Sequence, residues 1–157
     1  MIVHPIPPLF NEESRTLILG SFPSVKSREA AFFYGHPQNR FWAVIAEIYG
    51  YKKPQTVEEK KKLVLENKLA MLDVIQSCEI EGSADSTISN VTANDLSIIL
   101  ENSRVDRIFV NGKTAEKYYK KYTYPKTGIK AICLPSTSPA NAAWSIEKLV
   151  DAWKIIK

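Results

Sequence analysis

This 157-residue chain has only two histidines and two cysteines, few nitrogen and sulfur ligands for a transition metal. His4 and His36 form no ligand-spaced pair, and Cys78 with Cys133 cannot build a four-cysteine zinc site or an iron–sulfur cluster. A histidine-based metal centre is thereby set aside, and chemistry without metal or organic cofactor is the expectation. One long-range disulfide is the most these thiols can form, and reduced, buried thiols are expected instead. No apolar run is long enough to span a bilayer, and the opening MIVHPIPPLF lacks the basic start and apolar stretch of a signal peptide. A cytoplasmic protein without a membrane partner follows as the expectation. A P-loop is missing too: Gly112-Lys113-Thr114 resembles its end, but its first glycine would fall at Arg107. Ser21, Ser24 and Ser136 lack the Gly-x-Ser-x-Gly elbow of a hydrolytic serine.

What is present is ordinary globular material. A hydrophobic fraction of 45% and a charged fraction of 24% suit a soluble domain. At this length one compact domain over residues 1–157 buries most of its apolar surface, and a monomer is expected. The net charge is +4, but residues 113–130 hold six lysines against Glu116 alone, so that segment carries +5 and the remainder −1. A polyanionic partner is suggested by this concentration, with Lys113 as a contact.

Apolar strand-like runs at Thr16 to Leu19, Leu69 to Leu72, Arg107 to Val110 and Lys130 to Leu134 alternate with helical patterns. Helices are predicted at Phe41 to Tyr49, Val57 to Asn67, Asn94 to Asn102, Thr114 to Tyr122 and Ser145 to Ile156, the last with Ile146, Leu149, Val150, Trp153 and Ile156 at core-facing spacing. Ser77 to Val91 reads as a loop covering one edge. The alternation implies an α/β fold with a short, mostly parallel central sheet flanked by helices. Sites then belong at the carboxyl ends of the strands, so Gly20 to Ser24, Asp73-Val74, Asn111-Gly112 and Pro135 to Pro139 should converge.

The segment Gly20 to Trp42 is a long polar and aromatic loop where a short turn would suffice, and loops of that length tend to carry function. Phe32, Phe33 and Tyr34 stand beside His36, Gln38, Asn39 and Arg40, a mix suited to stacking a planar ring and hydrogen-bonding its edge. The same residues also fit a plainer role, with the aromatics in the core and Asn39 capping the helix that begins at Arg40 or Phe41.

Gly20-Ser21-Phe22-Pro23-Ser24 with Gly35-His36-Pro37-Gln38-Asn39-Arg40-Phe41-Trp42 resembles the first motif of the mismatch-specific and thymine branch of the uracil-DNA glycosylase superfamily, Gly-x-Asn-Pro-Gly and His-Pro-x-Asn-Arg-Phe-Trp. Leu134 to Asn141 is similar to the superfamily's second, Pro-Ser-Ser-Ser-like loop, and Phe109 to Lys113 resembles a segment between the two. One departure is informative. The branch's water-activating asparagine is replaced by Phe22, and an aromatic side chain cannot orient a nucleophile. The group that lacks this residue and keeps the later asparagine is the sixth family, the hypoxanthine-DNA glycosylases.

The resemblance implies a monofunctional glycosylase that releases hypoxanthine from DNA, with Asn39 as the catalytic residue. An amide is too weak a base to take a full proton from water, so Asn39 would position the nucleophile while bond breaking leads. The implied base-binding residues are Ser21, Phe22, Pro23 and Ser24, with backbone amides as donors, Tyr34 as a stacking ring, and Asp73 as an acceptor for the base N1–H. Asp73 equally fits a helix cap or a salt bridge. Ser136, Thr137, Ser138, Pro139 and Asn141 are the implied DNA contacts, through hydroxyls and helix-start amides, with Pro139 or Asn141 as candidates to fill the gap left by an extruded base.

Overall fold

The computed structural model describes residues 1–157. In chain order its elements are β1 (Ile2–Val3), β2 (Thr16–Gly20), α1 (Val25–Ala30), α2 (Phe41–Tyr49), α3 (Val57–Glu66), β3 (Leu69–Asp73) and β4 (Ile75–Glu79). There follow β5 (Ser89–Ala93), α4 (Ser97–Glu101), β6 (Arg107–Asn111), α5 (Lys113–Tyr118), α6 (Tyr124–Thr127), β7 (Ala131–Leu134) and α7 (Ile146–Trp153).

The central sheet runs β3-β2-β6-β7, with every neighbouring pair parallel. β2 and β3 are covered on both faces, which is why they read as unbroken apolar runs: every residue of both is buried. Helical crossovers between parallel strands leave all four carboxyl ends on one edge. The buried apolar side chains form one cluster of 36 residues. It includes Phe41 and Trp42 on α2 and Leu149 and Trp153 on α7. The α/β architecture is the one expected.

The Ser77 to Val91 stretch, read as a loop, instead supplies most of two strands. β4 and β5 pair antiparallel, and β1 joins β4 on its other side, making a second, three-stranded sheet. The helix expected to end at Tyr122 continues through a π-helical turn at Tyr119–Thr123 into α6, and Gly128 at φ 69° stops it. The long loop after β2 contains α1, started by Ser24, whose hydroxyl accepts from the Ser27 N–H. Ile146, placed on the core face by spacing, is 38% exposed because it opens α7 beyond the sheet cover.

Candidate active site

A cleft of about 340 Å³ opens at the carboxyl edge of the parallel sheet. The four strand ends do converge there: Gly20 to Ser24, Asp73, Asn111 and Ser136 to Ala140 line it, joined by Tyr34, His36 and Asn39 from the long loop. The rim adds Ser83 and Asp85 from the β4–β5 connection, which no sequence motif marks. No group of three or more His, Cys, Asp or Glu side chains is placed to hold a metal ion.

Asn39 is held through one atom. Its Oδ1 accepts the Phe41 N–H at 2.9 Å and the Thr137 hydroxyl at 2.9 Å. A carbonyl oxygen has two lone pairs, so this acceptor is saturated, and the amide's two Nδ2–H donors are the part left open. The capping role at the start of α2 and a place on the cleft wall therefore coexist. Thr137 in turn accepts the Asn111 Nδ2–H at 3.0 Å, while the Thr137 N–H donates to Asn111 Oδ1 at 3.1 Å. The ends of β6 and β7 are thereby tied to the long loop.

Arg40 ties that loop further. Its guanidinium donates to the carbonyls of Trp144, Ser138 (3.2 Å) and Asn141 (3.0 Å), and its own N–H donates to the Thr137 carbonyl at 3.1 Å. Arg40 lies inside the His-Pro-x-Asn-Arg-Phe-Trp motif, and Asn111 inside the segment between motifs. Their positions were visible, but their partners were not.

Asp73 lies at the floor with its side chain 6% exposed. Its Oδ2 takes a hydrogen bond from His4 Nε2 at 2.7 Å, so the carboxylate is paired inside the protein rather than capping a helix, with a partner from the start of the chain. A Cβ on Gly20 would stand 2.4 Å from Asp73 Oδ1 and 3.0 Å from the Tyr34 hydroxyl oxygen, so glycine is required for the carboxylate to lie across the end of β2. The Tyr34 ring stacks on Phe41 with centroids 4.2 Å apart and planes at 19°. Its hydroxyl is buried without a hydrogen-bond partner. Burial first, then the Asp73 charge, push its pKa well above the ordinary phenol range, against a smaller opposing effect of the Asn111 amide. Phe22 is buried as a wall beside His4, ring centroids 6.1 Å apart. The amides of Ser21, Phe22 and Ser24 hold no partner in the turn they form.

Three DNA-contact expectations change. Thr137 is fully buried and its hydroxyl is committed to Asn39 and Asn111, so a phosphate contact from it is ruled out. Asn141 lies outside the cleft lining and donates its Nδ2–H to the Ser136 carbonyl at 3.0 Å, bracing the loop. The start of α7 is capped by Ser145, whose hydroxyl accepts the Lys148 N–H at 3.2 Å, so its amides do not adjoin Pro139. Ser136, Ser138 and the exposed Pro139 remain at the cleft, and Lys113 is exposed at the first turn of α5 beside it.

An open parallel sheet with a polar, aromatic-walled cleft at its carboxyl edge places this chain among the α/β proteins that bind a ligand at the ends of their strands. The description Uracil DNA glycosylase superfamily matches residues 7–157. A protein of Methanosarcina acetivorans named hypoxanthine DNA glycosylase is 33% identical over 147 residues, 92% of each chain. One of the same name from Methanosarcina barkeri is 31% identical over 115 residues, 71% of this chain and 72% of that one. A solution NMR structure from M. acetivorans, described as a candidate uracil DNA glycosylase, superposes with a TM-score of 0.81 at 30% identity over 99% of both chains. The chain belongs to the uracil DNA glycosylase superfamily and, within it, to the hypoxanthine DNA glycosylase family.

Proposed function

We propose that this protein hydrolyses the N-glycosidic bond of hypoxanthine in DNA, leaving an abasic site for base-excision repair, as a monomer without metal or organic cofactor. The observation that carries the reading is Asn39, locked by Phe41 and Thr137 on the wall of a cleft whose first turn holds Phe22 where a water-activating residue would stand. The names of the two Methanosarcina relatives support the choice of base.

Bond breaking leads in this scheme. The extruded nucleotide enters the cleft with its base between Phe22 and Tyr34. The C1′–N9 pair of electrons leaves with the base, and the open amides of Ser21, Phe22 and Ser24 donate to its accumulating negative charge. The sugar becomes cation-like, as in O-glycoside hydrolysis, and here the neighbouring DNA phosphates stabilise it. Water then adds to C1′ and loses its proton to solvent or the released base. With its Oδ1 saturated, Asn39 holds that water through Nδ2–H and takes no proton.

Single-turnover release from matched duplexes carrying hypoxanthine, uracil or xanthine, with chelator present, tests the proposal. Hypoxanthine released ahead of uracil is the expected result. Uracil first would overturn the specificity, and tight binding without release would overturn catalysis. In Asn39→Ala we expect binding near normal and release severely lowered, so near-normal release by that variant removes Asn39 from the mechanism.

A further inference from the structure

We infer that His4 is a positioning residue that fixes Asp73 as a one-oxygen acceptor at the cleft floor, and that this acceptor selects bases bearing a lactam N–H. The inference rests on the base-release reading above and extends it to the rule by which bases are chosen.

The tautomer of His4 is set by the backbone. Ile6 N–H donates to His4 Nδ1 at 3.3 Å, so Nδ1 is the acceptor and the ring proton sits on Nε2, directed at Asp73 Oδ2 2.7 Å away. The ring is enclosed, its side chain 3% exposed, with Phe22 at 6.1 Å and Phe33 at 6.2 Å between centroids. Asp73 is fixed on its own side by β3, and its carbonyl accepts Asn94 Nδ2–H at 2.8 Å. His4 thus uses one carboxylate oxygen, and Oδ1 lines the floor with no donor from the protein.

A carboxylate oxygen accepts and cannot donate. Deamination turns the adenine edge, an N1 lone pair beside an amino group, into N1–H beside a carbonyl, and it does the same at N3 of cytosine. With the base aligned for cleavage, hypoxanthine gives Oδ1 a proton and adenine gives it a lone pair. His4 adds the second half of the selection. By occupying Oδ2 it stops the carboxylate from turning that oxygen toward the base carbonyl, where two acceptors would face each other. Guanine shares the lactam edge, and its exclusion is left to the cost of opening an intact pair.

The test uses a reversal that a purely structural histidine cannot produce. In Asp73→Asn the His4 Nε2–H holds the amide oxygen, so Nδ2–H faces the base and two donors oppose. Hypoxanthine release should fall by about 100-fold or more. Removing the lock as well, in Asp73→Asn with His4→Ala, frees the amide to flip and should restore release at least about tenfold over Asp73→Asn alone. His4→Gln, which keeps an N–H donor, should release hypoxanthine within about threefold of the unaltered protein. Melting of each variant separates loss of fold from loss of function. Release in the double variant equal to or below that of Asp73→Asn overturns the inference and leaves the proposed function standing. Failure of the unaltered protein to release any base overturns both.

Discussion

Thr137→Val is the sharpest probe of how the cleft is held together. The residue is fully buried, and valine matches its shape, so the change removes one hydroxyl and almost no volume. That hydroxyl donates to Asn39 Oδ1 at 2.9 Å and accepts from Asn111 Nδ2 at 3.0 Å. Losing it strands the half-buried Asn111 amide donor and frees one Asn39 lone pair, at a cost of about 2 kcal/mol. For a chain of this size that lowers Tm by about 4–8 °C. The second effect is on rate. Asn39 keeps only the Phe41 N–H, its amide gains rotational freedom, and base release should slow by between about tenfold and about 100-fold. DNA affinity should hold, because Thr137 is fully buried and its hydroxyl is held by Asn39 and Asn111. Thr137→Ser is the control, keeping the hydroxyl and losing a methyl worth about 1 kcal/mol. Thermal melts, single-turnover release and anisotropy titration read the three quantities. Valine and serine variants that match one another in release would refute the reasoning.

Gly20→Ala forces a Cβ to 2.4 Å from Asp73 Oδ1, so the floor must shift; we expect hypoxanthine release to fall at least about tenfold, and unchanged single-turnover kinetics would show the floor to be pliable. Tyr34→Phe deletes a buried hydroxyl without a partner and should raise Tm by about 2–4 °C, a gain near 1 kcal/mol; a lower Tm would reveal a bond that the hydroxyl makes. Burial raises the pKa of Tyr34, Tyr49, Tyr118 and Tyr119. Below about pH 10 both states keep these protons; above it the unfolded chain loses them first, so stability falls as pH rises, by up to about 1.4 kcal/mol per pH unit from Tyr34 alone. Urea unfolding between neutral pH and pH 11 checks this, and a flat profile contradicts it. Lys113→Ala should weaken DNA binding and reduce its salt slope by about 0.9 without altering the release plateau, as a lost phosphate contact requires.

The central sheet was legible because three of its strands are buried along most of their length: TLIL, LAML and RIFV stand out against the charged helices between them. The antiparallel sheet was not. IQSCE and SNVTA are half-exposed and polar, their pairing is interrupted by register shifts, and the third strand lies more than seventy residues away at Ile2–Val3. Hydrophobic pattern records local burial, and these strands are fixed by distant partners. His4 went unread for the same reason: it is tied to Asp73 across 69 positions, and a single histidine before Pro5 gives no sign of that partner.

Within the site, the motifs marked the right loops but could not divide them by task. Serine, threonine, asparagine and arginine at a strand end look alike whether they brace a loop or face a ligand. Burial and hydrogen-bond saturation separate them. Thr137, Arg40 and Asn111 spend polar atoms on neighbouring loops and Asn141 on its own, while Asn39 Nδ2, Asp73 Oδ1 and the amides of Ser21, Phe22 and Ser24 are left open. The bracing set meets a physical need: four strand ends converge at the cleft, and a cleavage geometry tolerates little movement of the loops that carry it. Activity lost on changing a motif residue therefore does not identify a catalytic group here. A brace should lower Tm and release together, as expected of Thr137→Val, whereas an open group such as Asn39 Nδ2 should lower release with only the capping bond's share of stability.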